Sequence, residues 1–236
     1  MRKILVPLLA AFLLASCWSD TSDTTSVIPV GKPSMTWGID KIEAPKPANV
    51  VDFVSDDSIL KFVWRDVHFN NLEYKPNDLV AISWAHLRVK SGSFLRLGAS
   101  KNLSALSEDF YKEFKTPLVI VSAFRSYGYQ VGIKKAWCSD VFCARAWYSE
   151  HQTGLAVDLF AATDSKTFLS NLSYAKYFDW LNENAYLFWF TNSYKKGKAV
   201  DWYEIEPWHW RYVWKDLAKV LHDGAQSFTE YYLANR

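Results

Sequence analysis

The sequence predicts a mixed α+β fold, because strand-like and helix-like segments follow one another without a regular alternation. Residues 118–123 and 155–160 are short apolar runs of strand length, which is typical of buried strands. Residues 101–115 instead carry apolar side chains at steps of three and four, the period of an amphipathic helix. A regular βαβ rhythm would indicate a doubly wound parallel sheet, whereas this irregular order favours α+β.

The rest of the chain continues this mixture. Residues 167–183 carry apolar side chains at helical spacing and predict a helix that covers one face of the sheet. Residues 202–213 are rich in aromatics and interrupted by Pro207, so they predict a kinked strand rather than a helix. We expect a short helix around residues 217–221 and a final helix that ends near residue 234.

The first 17 residues are similar to a bacterial export signal. Arg2 and Lys3 precede an apolar run that is too short to span a bilayer. Residues 14–17 (LASC) resemble the lipobox of bacterial lipoproteins and predict Cys17 as the lipidated residue. A lipid there would anchor the chain to a membrane of the cell envelope, facing the periplasm or the outside. The alternative is an ordinary cleaved signal in which Cys17 has no role.

Composition divides the remaining chain into a tether and one domain. Residues 18–35 are rich in Ser, Thr and Asp and predict a flexible tether, whereas residues 36–236 suffice for one domain with a sizeable core. The chain has 27 basic and 25 acidic side chains, a formal net charge of +2, and no basic run. We therefore expect no nucleic-acid partner, and we expect a monomer.

Cys138 and Cys143 lie close together in a chain that is predicted to be exported. In that setting such a pair more often forms a disulfide than a metal site, so we expect a Cys138–Cys143 bridge upstream of His151. The competing interpretation, two further zinc ligands, requires partners at suitable spacing, and the sequence offers none.

Two segments carry the ligands of a catalytic zinc site. Residues 149–158 contain His151 and Asp158, and residues 206–209 contain Glu206 and His209. Two imidazoles and one carboxylate can hold zinc and leave a fourth position for water, while a spare carboxylate, Glu206, can act as the base. A carboxylate inside an apolar strand must be paired or bound to a cation, so a salt bridge is the alternative role of Asp158.

Three segments together resemble the VanY-type D-alanyl-D-alanine carboxypeptidases, which belong with the hedgehog and lysostaphin-like zinc peptidases. The resemblance covers about residues 70–215 and lies in the pattern S-x-H-x-x-G-x-A-x-D followed by E-x-W-H. It implies a hedgehog/DD-peptidase-like fold with a small, mainly antiparallel sheet flanked by helices. The segments are residues 122–130 (SAFRSYGYQ), 149–158 (SEHQTGLAVD) and 206–212 (EPWHWRY).

The resemblance also implies roles for individual residues. His151, Asp158 and His209 would hold one Zn²⁺ ion, Glu206 would be the catalytic base, and Arg125 would contact the substrate. Two further residues, Gln130 and Ser149, match positions associated with substrate recognition. The alternative for Arg125 is a structural ion pair, and Gln130 has the alternative of packing or capping the following helix.

The implied substrates are peptidoglycan stem peptides, from which the enzyme would remove the terminal D-alanine. An L,D-carboxypeptidase or a D-Ala-D-Ala dipeptidase of the same family is the nearest alternative, and a catalytically silent wall-binding lipoprotein is another. Ala146-Trp147 replaces the Pro-Gly pair common in the family, and the Cys138–Cys143 loop precedes it. These departures lie beside His151, so they affect the expected substrate preference rather than the metal.

Overall fold

The structure of the chain is a computed structural model that describes residues 51–134 and 138–236. The predicted export signal, Cys17, the tether and the predicted domain boundary at residue 36 lie outside the described residues. In the described ranges, no helix is both long and apolar enough to cross a membrane.

Short strands and helices are interleaved in an α+β order, as the sequence predicts. The strands are Leu79–Ala81 (β1), Leu87–Val89 (β2), Phe94–Arg96 (β3), Leu118–Ser122 (β4), Ala156–Leu159 (β5), Phe190–Asn192 (β6) and His209–Tyr212 (β7). The α-helices are Leu97–Phe114 (α1), Tyr127–Lys134 (α2), Ser165–Ser170 (α3), Leu172–Asn184 (α4), Lys198–Asp201 (α5), Lys215–Asp223 (α6) and Phe228–Asn235 (α7). Single turns of 3-10 helix form at Glu150–Thr153 and Ala185–Phe188.

A five-stranded sheet of order β2-β4-β5-β7-β6 positions the rest of the fold. The β2–β4 pair is parallel, and the other three pairs are antiparallel. Strands β1 and β3 form a separate antiparallel pair. The prediction of a small, mainly antiparallel sheet with flanking helices is confirmed.

The main core lies on one face of this sheet, between the strands and helices α1 and α4. Side chains alternate between the two faces of a strand, so Val157 and Trp210 point toward this core. Helix α1 contributes Leu103, Leu106 and Phe110, each at most 1% exposed. Burial of such side chains is the main term that stabilises the fold.

A second, smaller core packs the two C-terminal helices against the start of the described chain. Leu217 and Leu221 of α6 and Phe228 of α7 contact Phe53 and Phe62 there. The predicted short helix and final helix are therefore both present, and α6 matches the predicted position closely. A capping box at Ser227 and Glu230 begins α7.

The helix predicted for residues 167–183 is two helices. Asn171 interrupts it, because its side chain accepts hydrogen bonds from the backbone amides of Ser173 and Tyr174 and so caps the start of α4. Helical spacing continues across the break, which is why periodicity alone does not reveal it.

The prediction of one kinked strand over residues 202–213 is wrong. Only residues 209–212 form a strand, and the preceding segment is an irregular loop that follows α5. A hydrogen bond from the His209 amide to the Glu206 carbonyl, 3.1 Å long, closes a turn between them. The Asn192 side chain fixes this turn by donating to the Glu206 and His209 carbonyls, at 2.7 and 3.0 Å.

Gly154 joins the 3-10 helix of His151 to strand β5, where both the backbone conformation and the lack of space favour glycine. Its φ is +69°, and a Cβ would lie 2.9 Å from Leu79 Cδ2, 3.1 Å from Arg96 Cγ and 3.2 Å from Pro76 Cγ. The Pro76 ring cannot rotate away. Gly154 thus needs both the left-handed backbone and the absence of a side chain.

We predict that Gly154→Ala lowers the free energy of unfolding by about 2–4 kcal/mol, from left-handed strain and overpacking together. Gly92→Ala is the matched control, because Gly92 has φ +80° but no atom within 4 Å of its Cβ position. Urea unfolding followed by tryptophan fluorescence measures both variants. Equal losses would show that crowding at Gly154 contributes nothing.

Candidate active site

The register between β5 and β7 places two predicted metal ligands side by side. Asp158 lies directly opposite His209, and on its other side it pairs with Ser122 of β4. Directly opposed residues of neighbouring strands point to the same face. Both side chains therefore lie on the face that is turned away from the main core, and their atoms Asp158 Oδ1 and His209 Nδ1 are 3.0 Å apart.

His151, the third predicted ligand, reaches the same point from the 3-10 helix before β5. Its ring is buried, and Nδ1 lies 2.7 Å from the Ala123 carbonyl, to which it donates as the protonated nitrogen. This leaves the Nε2 lone pair directed at Asp158, whose Oδ1 is 3.2 Å away. Nε2 makes no hydrogen bond to any residue of the described ranges.

These three side chains fit a zinc ion. One ligand atom from each of His151, Asp158 and His209 can be chosen so that all lie within 4.8 Å of one another. Ligands of tetrahedral zinc, at about 2.0–2.1 Å from the metal, are separated from one another by roughly 3.3 Å. The separations of 3.2 and 3.0 Å are close to that value. An orphaned, buried imidazole nitrogen beside a carboxylate also needs a positive partner.

Glu150 is a part of the site that the sequence reasoning missed. It is 2% exposed, and its Oε2 lies 2.8 Å from His209 Nε2 and 2.6 Å from Ser193 Oγ. The Arg211 guanidinium is 3.7 Å from its other oxygen. By accepting the Nε2 proton of His209, Glu150 leaves Nδ1 as the nitrogen that can bind metal, the usual role of a carboxylate behind a ligand histidine.

The charges of the site favour a cation at this position. Burial opposes a charge on His209, but hydrogen bonds to Asp158 and Glu150 outweigh burial and raise its pKa to about 10, so a metal ion would displace a proton from Nδ1. Burial also opposes ionisation of Asp158, yet His151 and His209 hold its pKa well below the ordinary value. Burial and the nearby Arg125 charge lower the pKa of His151 to about 4, so this imidazole is neutral and able to donate its lone pair.

Glu206 lies at the edge of this ligand set. Its Oε2 is 4.0 Å from His209 Nδ1, and the residue is 8% exposed. Burial, reinforced by the Asp158 and Glu150 carboxylates, raises the pKa of Glu206 to about 8. A divalent cation at the ligand set would lower that pKa and favour the carboxylate, the form that can accept a proton.

Arg125, Gln130 and Ser149 all line the same cleft as Glu206 and the histidines. An Nη of Arg125 is 3.8 Å from Asp158 Oδ2, and its buried Nε has no hydrogen-bond partner in the described ranges. Gln130 donates to the Ala144 carbonyl at 2.7 Å, whereas its Oε1 likewise has no partner there. Six predicted site residues therefore line one cleft, and Asp158 contacts three of them, Arg125, His151 and His209.

Two tyrosines that no sequence motif indicates, Tyr194 and Tyr203, also line the cleft. The Tyr194 ring stacks on His209 with centroids 4.7 Å apart, and Tyr203 packs against Tyr194. Both are buried, and burial raises the pKa of each hydroxyl, so both stay neutral. Tyr194 therefore packs against one face of the His209 ring, and both tyrosines line the cleft beside Glu206.

The Cys138–Cys143 loop forms the rim of the cleft. The two cysteines are joined in the structure with Cα atoms 5.7 Å apart, and Phe142 and Cys143 line the cleft itself. The Glu204 amide donates to the Val141 carbonyl at 2.9 Å, which connects this loop to the segment that carries Glu206.

Comparison with known proteins agrees with this geometry. A family model described as VanY, D-alanyl-D-alanine carboxypeptidase, matches residues 92–215, which include every residue of the ligand set. The chain belongs to the VanY family. Its resemblance to that family, inferred above from three segments, is therefore confirmed.

Two relatives support the assignment of the chain to the VanY family. YodJ of Bacillus subtilis (strain 168), provisionally named a carboxypeptidase, is 33% identical over 171 residues, which are 67% of this chain and 62% of YodJ. A D-alanyl-D-alanine carboxypeptidase of Enterococcus faecalis (strain ATCC 700802 / V583) is 37% identical over 106 residues, 44% of this chain and 37% of that protein. The chain thus matches less than two thirds of the length of either relative.

A solved structure confirms the fold. The LdcB LD-carboxypeptidase superposes with a TM-score of 0.63 and 30% identity, over 77% of this chain and 88% of LdcB. The expectation of a hedgehog/DD-peptidase-like fold agrees with this similarity.

The Glu150–His209 contact generates a prediction. Glu150→Gln replaces the acceptor carboxylate by a neutral amide, so we expect zinc affinity to fall about 10- to 100-fold. Ser193→Ala, which removes only one hydrogen bond to Glu150, should cause a smaller loss. Competition with a chromophoric chelator measures the affinity, and circular dichroism checks that each variant is folded.

Glu113→Gln, on the exposed face of α1, is the control for a lost carboxylate and should bind zinc as the parent does. If folded Glu150→Gln also bound zinc with the parental affinity, Glu150 would not orient His209 for metal.

Proposed function

We propose that the chain is a zinc-dependent carboxypeptidase that removes the terminal D-alanine from peptidoglycan stem peptides. The observation that carries this proposal is the convergence of a zinc-type ligand set, a buried carboxyl and a partly unpaired arginine on one cleft. Membership of the VanY family and the Enterococcus faecalis relative support the D,D reaction.

In this proposal His151 Nε2, Asp158 and His209 Nδ1 hold one zinc ion. Bound there, zinc would act as a Lewis acid that acidifies water and polarises the scissile carbonyl. The protein prepares the ligand atoms beforehand, since Ala123 and Glu150 each bind the opposite nitrogen of a histidine ring.

Glu206 is the proposed general base. Its carboxylate accepts a proton from the attacking water and then donates it to the amine of the departing D-alanine, so the group returns to its starting state. Its position beside His209 but outside the ligand set suits proton transfer rather than metal binding. The presence of this carboxyl also argues against a catalytically silent wall-binding protein.

Arg125 is the proposed binding partner of the substrate's C-terminal carboxylate. A guanidinium presents two parallel N–H donors that match a carboxylate, and Arg125 Nε is free for such a pair among the described residues. Of the two residues that flank the scissile bond, only a C-terminal one carries a free carboxylate, so this contact would restrict cleavage to chain ends. A salt bridge to Asp158 alone is the weaker account, since the 3.8 Å separation is long.

An L,D-carboxypeptidase is the second candidate function, because LdcB is a solved relative at 30% identity. The two reactions differ in the configuration of the residue before the scissile bond. A D-Ala-D-Ala dipeptidase of the same family is a third possibility, which the same assay tests. We further propose that the enzyme is exported and anchored to the cell envelope by a lipid on Cys17, where stem peptides are found.

The purified chain, supplied with zinc, can be incubated with a stem pentapeptide, a stem tetrapeptide and D-Ala-D-Ala, and the products identified by mass spectrometry. We expect loss of one terminal D-alanine from the pentapeptide. Cleavage of the tetrapeptide alone would establish the L,D reaction instead. Binding of peptides without any cleavage would favour the silent protein.

We predict that Glu206→Gln lowers kcat by about 10²- to 10⁴-fold while zinc remains bound, because the amide cannot accept the proton. Glu204→Gln is the matched control two residues away, where the carboxylate pairs with Lys198 at 2.6 Å. Atomic emission measures the bound zinc, and turnover of the pentapeptide measures kcat. Together they distinguish loss of the metal from loss of the proton acceptor. A zinc-loaded Glu206→Gln enzyme as fast as the control would remove Glu206 from the mechanism.

For Arg125 we predict that substitution weakens the binding of a peptide that ends in a carboxylate, but not of one that ends in an amide. Arg125→Gln should raise KM for a pentapeptide with a free C-terminal carboxylate by about 10-fold or more, the effect of losing a charge-assisted bidentate pair. A C-terminal amide should be a poor substrate for both enzymes. If Arg125 instead stabilised the oxyanion, its loss would lower kcat for acid and amide alike.

A further inference from the structure

A second cleft adjoins the candidate active site. It has a volume of about 160 Å³, and we call it the arginine cleft because Arg65 and Arg145 line it. Tyr203 lines both clefts, and the consecutive residues Tyr148 and Ser149 line one each. The two clefts therefore share a wall, whereas Arg125 belongs only to the first.

The guanidinium of Arg65 is held firmly in the arginine cleft. It lies between two indole rings, with its central carbon 4.6 Å from the Trp64 centroid and 4.5 Å from the Trp202 centroid. Its Nε is 2.8 Å from Asp66 Oδ2. Stacking on aromatic faces fixes a guanidinium and leaves N–H groups at its edge available to a ligand.

Arg145 differs from Arg65 because the acid that interacts with it, Asp140, lies beyond ion-pair distance and is paired with Lys134. It stacks on Tyr148 at 4.5 Å and donates to the Arg65 carbonyl at 2.9 Å, which brings the two arginines together. Asp140, the nearby acid of the cleft, pairs with Lys134 at 2.6 Å. In residues 51–134 and 138–236, no carboxylate lies within ion-pair distance of Arg145.

Trp202, which lines the arginine cleft, has an energetically unfavourable backbone conformation. Its φ is +69°, a left-handed value that costs about 1–2 kcal/mol for a residue with a side chain. The Trp64 indole fixes the neighbouring backbone by donating to the Asp201 carbonyl at 2.7 Å. Backbone strain that surrounding contacts maintain is characteristic of binding sites.

We propose that the arginine cleft binds a carboxylate of the substrate that lies on the N-terminal side of the scissile bond. This inference depends on the proposed function. A carboxypeptidase removes one residue, so every other group of its substrate lies on the N-terminal side. A stem peptide carries such an anion, because a γ-linked D-glutamyl residue keeps its α-carboxylate.

The balance of charge favours a single carboxylate over a phosphate or a polyanion. Two arginines and two aspartates line the cleft, so their formal charges cancel. An occupant with one negative charge can pair with Arg145 while Asp66 and Asp140 repel a more highly charged group. The aromatic rings meanwhile provide apolar contact for the carbon atoms beside the carboxylate.

Two stem pentapeptides that differ only in the glutamyl α-group, carboxylate or carboxamide, test the proposal. The zinc-loaded parent should favour the carboxylate peptide by about 10-fold in kcat/KM, mainly through KM, as expected for a charge-assisted contact. Arg145→Gln should lower kcat/KM for the carboxylate peptide until the two peptides are nearly equal. Arg88→Gln, an exposed arginine on β2, is the control and should keep the parental preference.

Isothermal titration of zinc-loaded Glu206→Gln with the same peptides separates this proposal from the proposed function. A preference for the carboxylate peptide that Arg145→Gln removes would support the subsite even if the parent hydrolysed neither peptide. Hydrolysis with equal kcat/KM for both peptides would overturn the subsite and leave the carboxypeptidase intact. Failure to bind either peptide would overturn the subsite as well.

Discussion

The antiparallel pairing of β5 with β7 is the constraint on which the site depends. Side chains alternate along each strand, so the register that turns Val157 and Trp210 into the core also turns Asp158 and His209 away from it. A slip of one residue would reverse both faces and expose apolar side chains while burying the ligands. The packing of the core therefore determines the position of Asp158 and His209, two of the proposed metal ligands, even though neither belongs to the core.

The alternation of side chains along β7 also places two positively charged or polar partners beside a buried carboxylate. His209 and Arg211 lie on one face of β7, and both contact Glu150, which is 2% exposed. A buried carboxylate without partners would be strongly destabilising, but here an imidazole, a guanidinium and a hydroxyl surround it. This network orients the ring of His209 through protein contacts alone, as the proposed role of His209 as a metal ligand requires.

Local sequence patterns predicted the elements and site residues whose structure depends on residues nearby in the chain. Apolar runs located β4 and β5, helical spacing located α1 and α6, and motif spacing located His151, Asp158, Glu206 and His209. Glu150 was missed because its importance comes from Ser193 and Arg211, which lie far along the chain. The same reason explains the error over residues 202–213, where the Asn192 side chain and not local propensity fixes the turn.

One segment of chain at the rim of the cleft connects the arginine cleft with Glu206, the proposed base. Trp202 lines the arginine cleft, Tyr203 lines both clefts, and Glu206 follows three residues later. The Glu204 amide binds the Val141 carbonyl, so the Cys138–Cys143 loop supports the same segment. Both the arginine cleft and the position of Glu206 therefore depend on the backbone of residues 202–206. Substitutions of the Trp202 or Tyr203 side chains should change kcat together with substrate preference, whereas substitutions of His151, Asp158 or His209 should change metal binding.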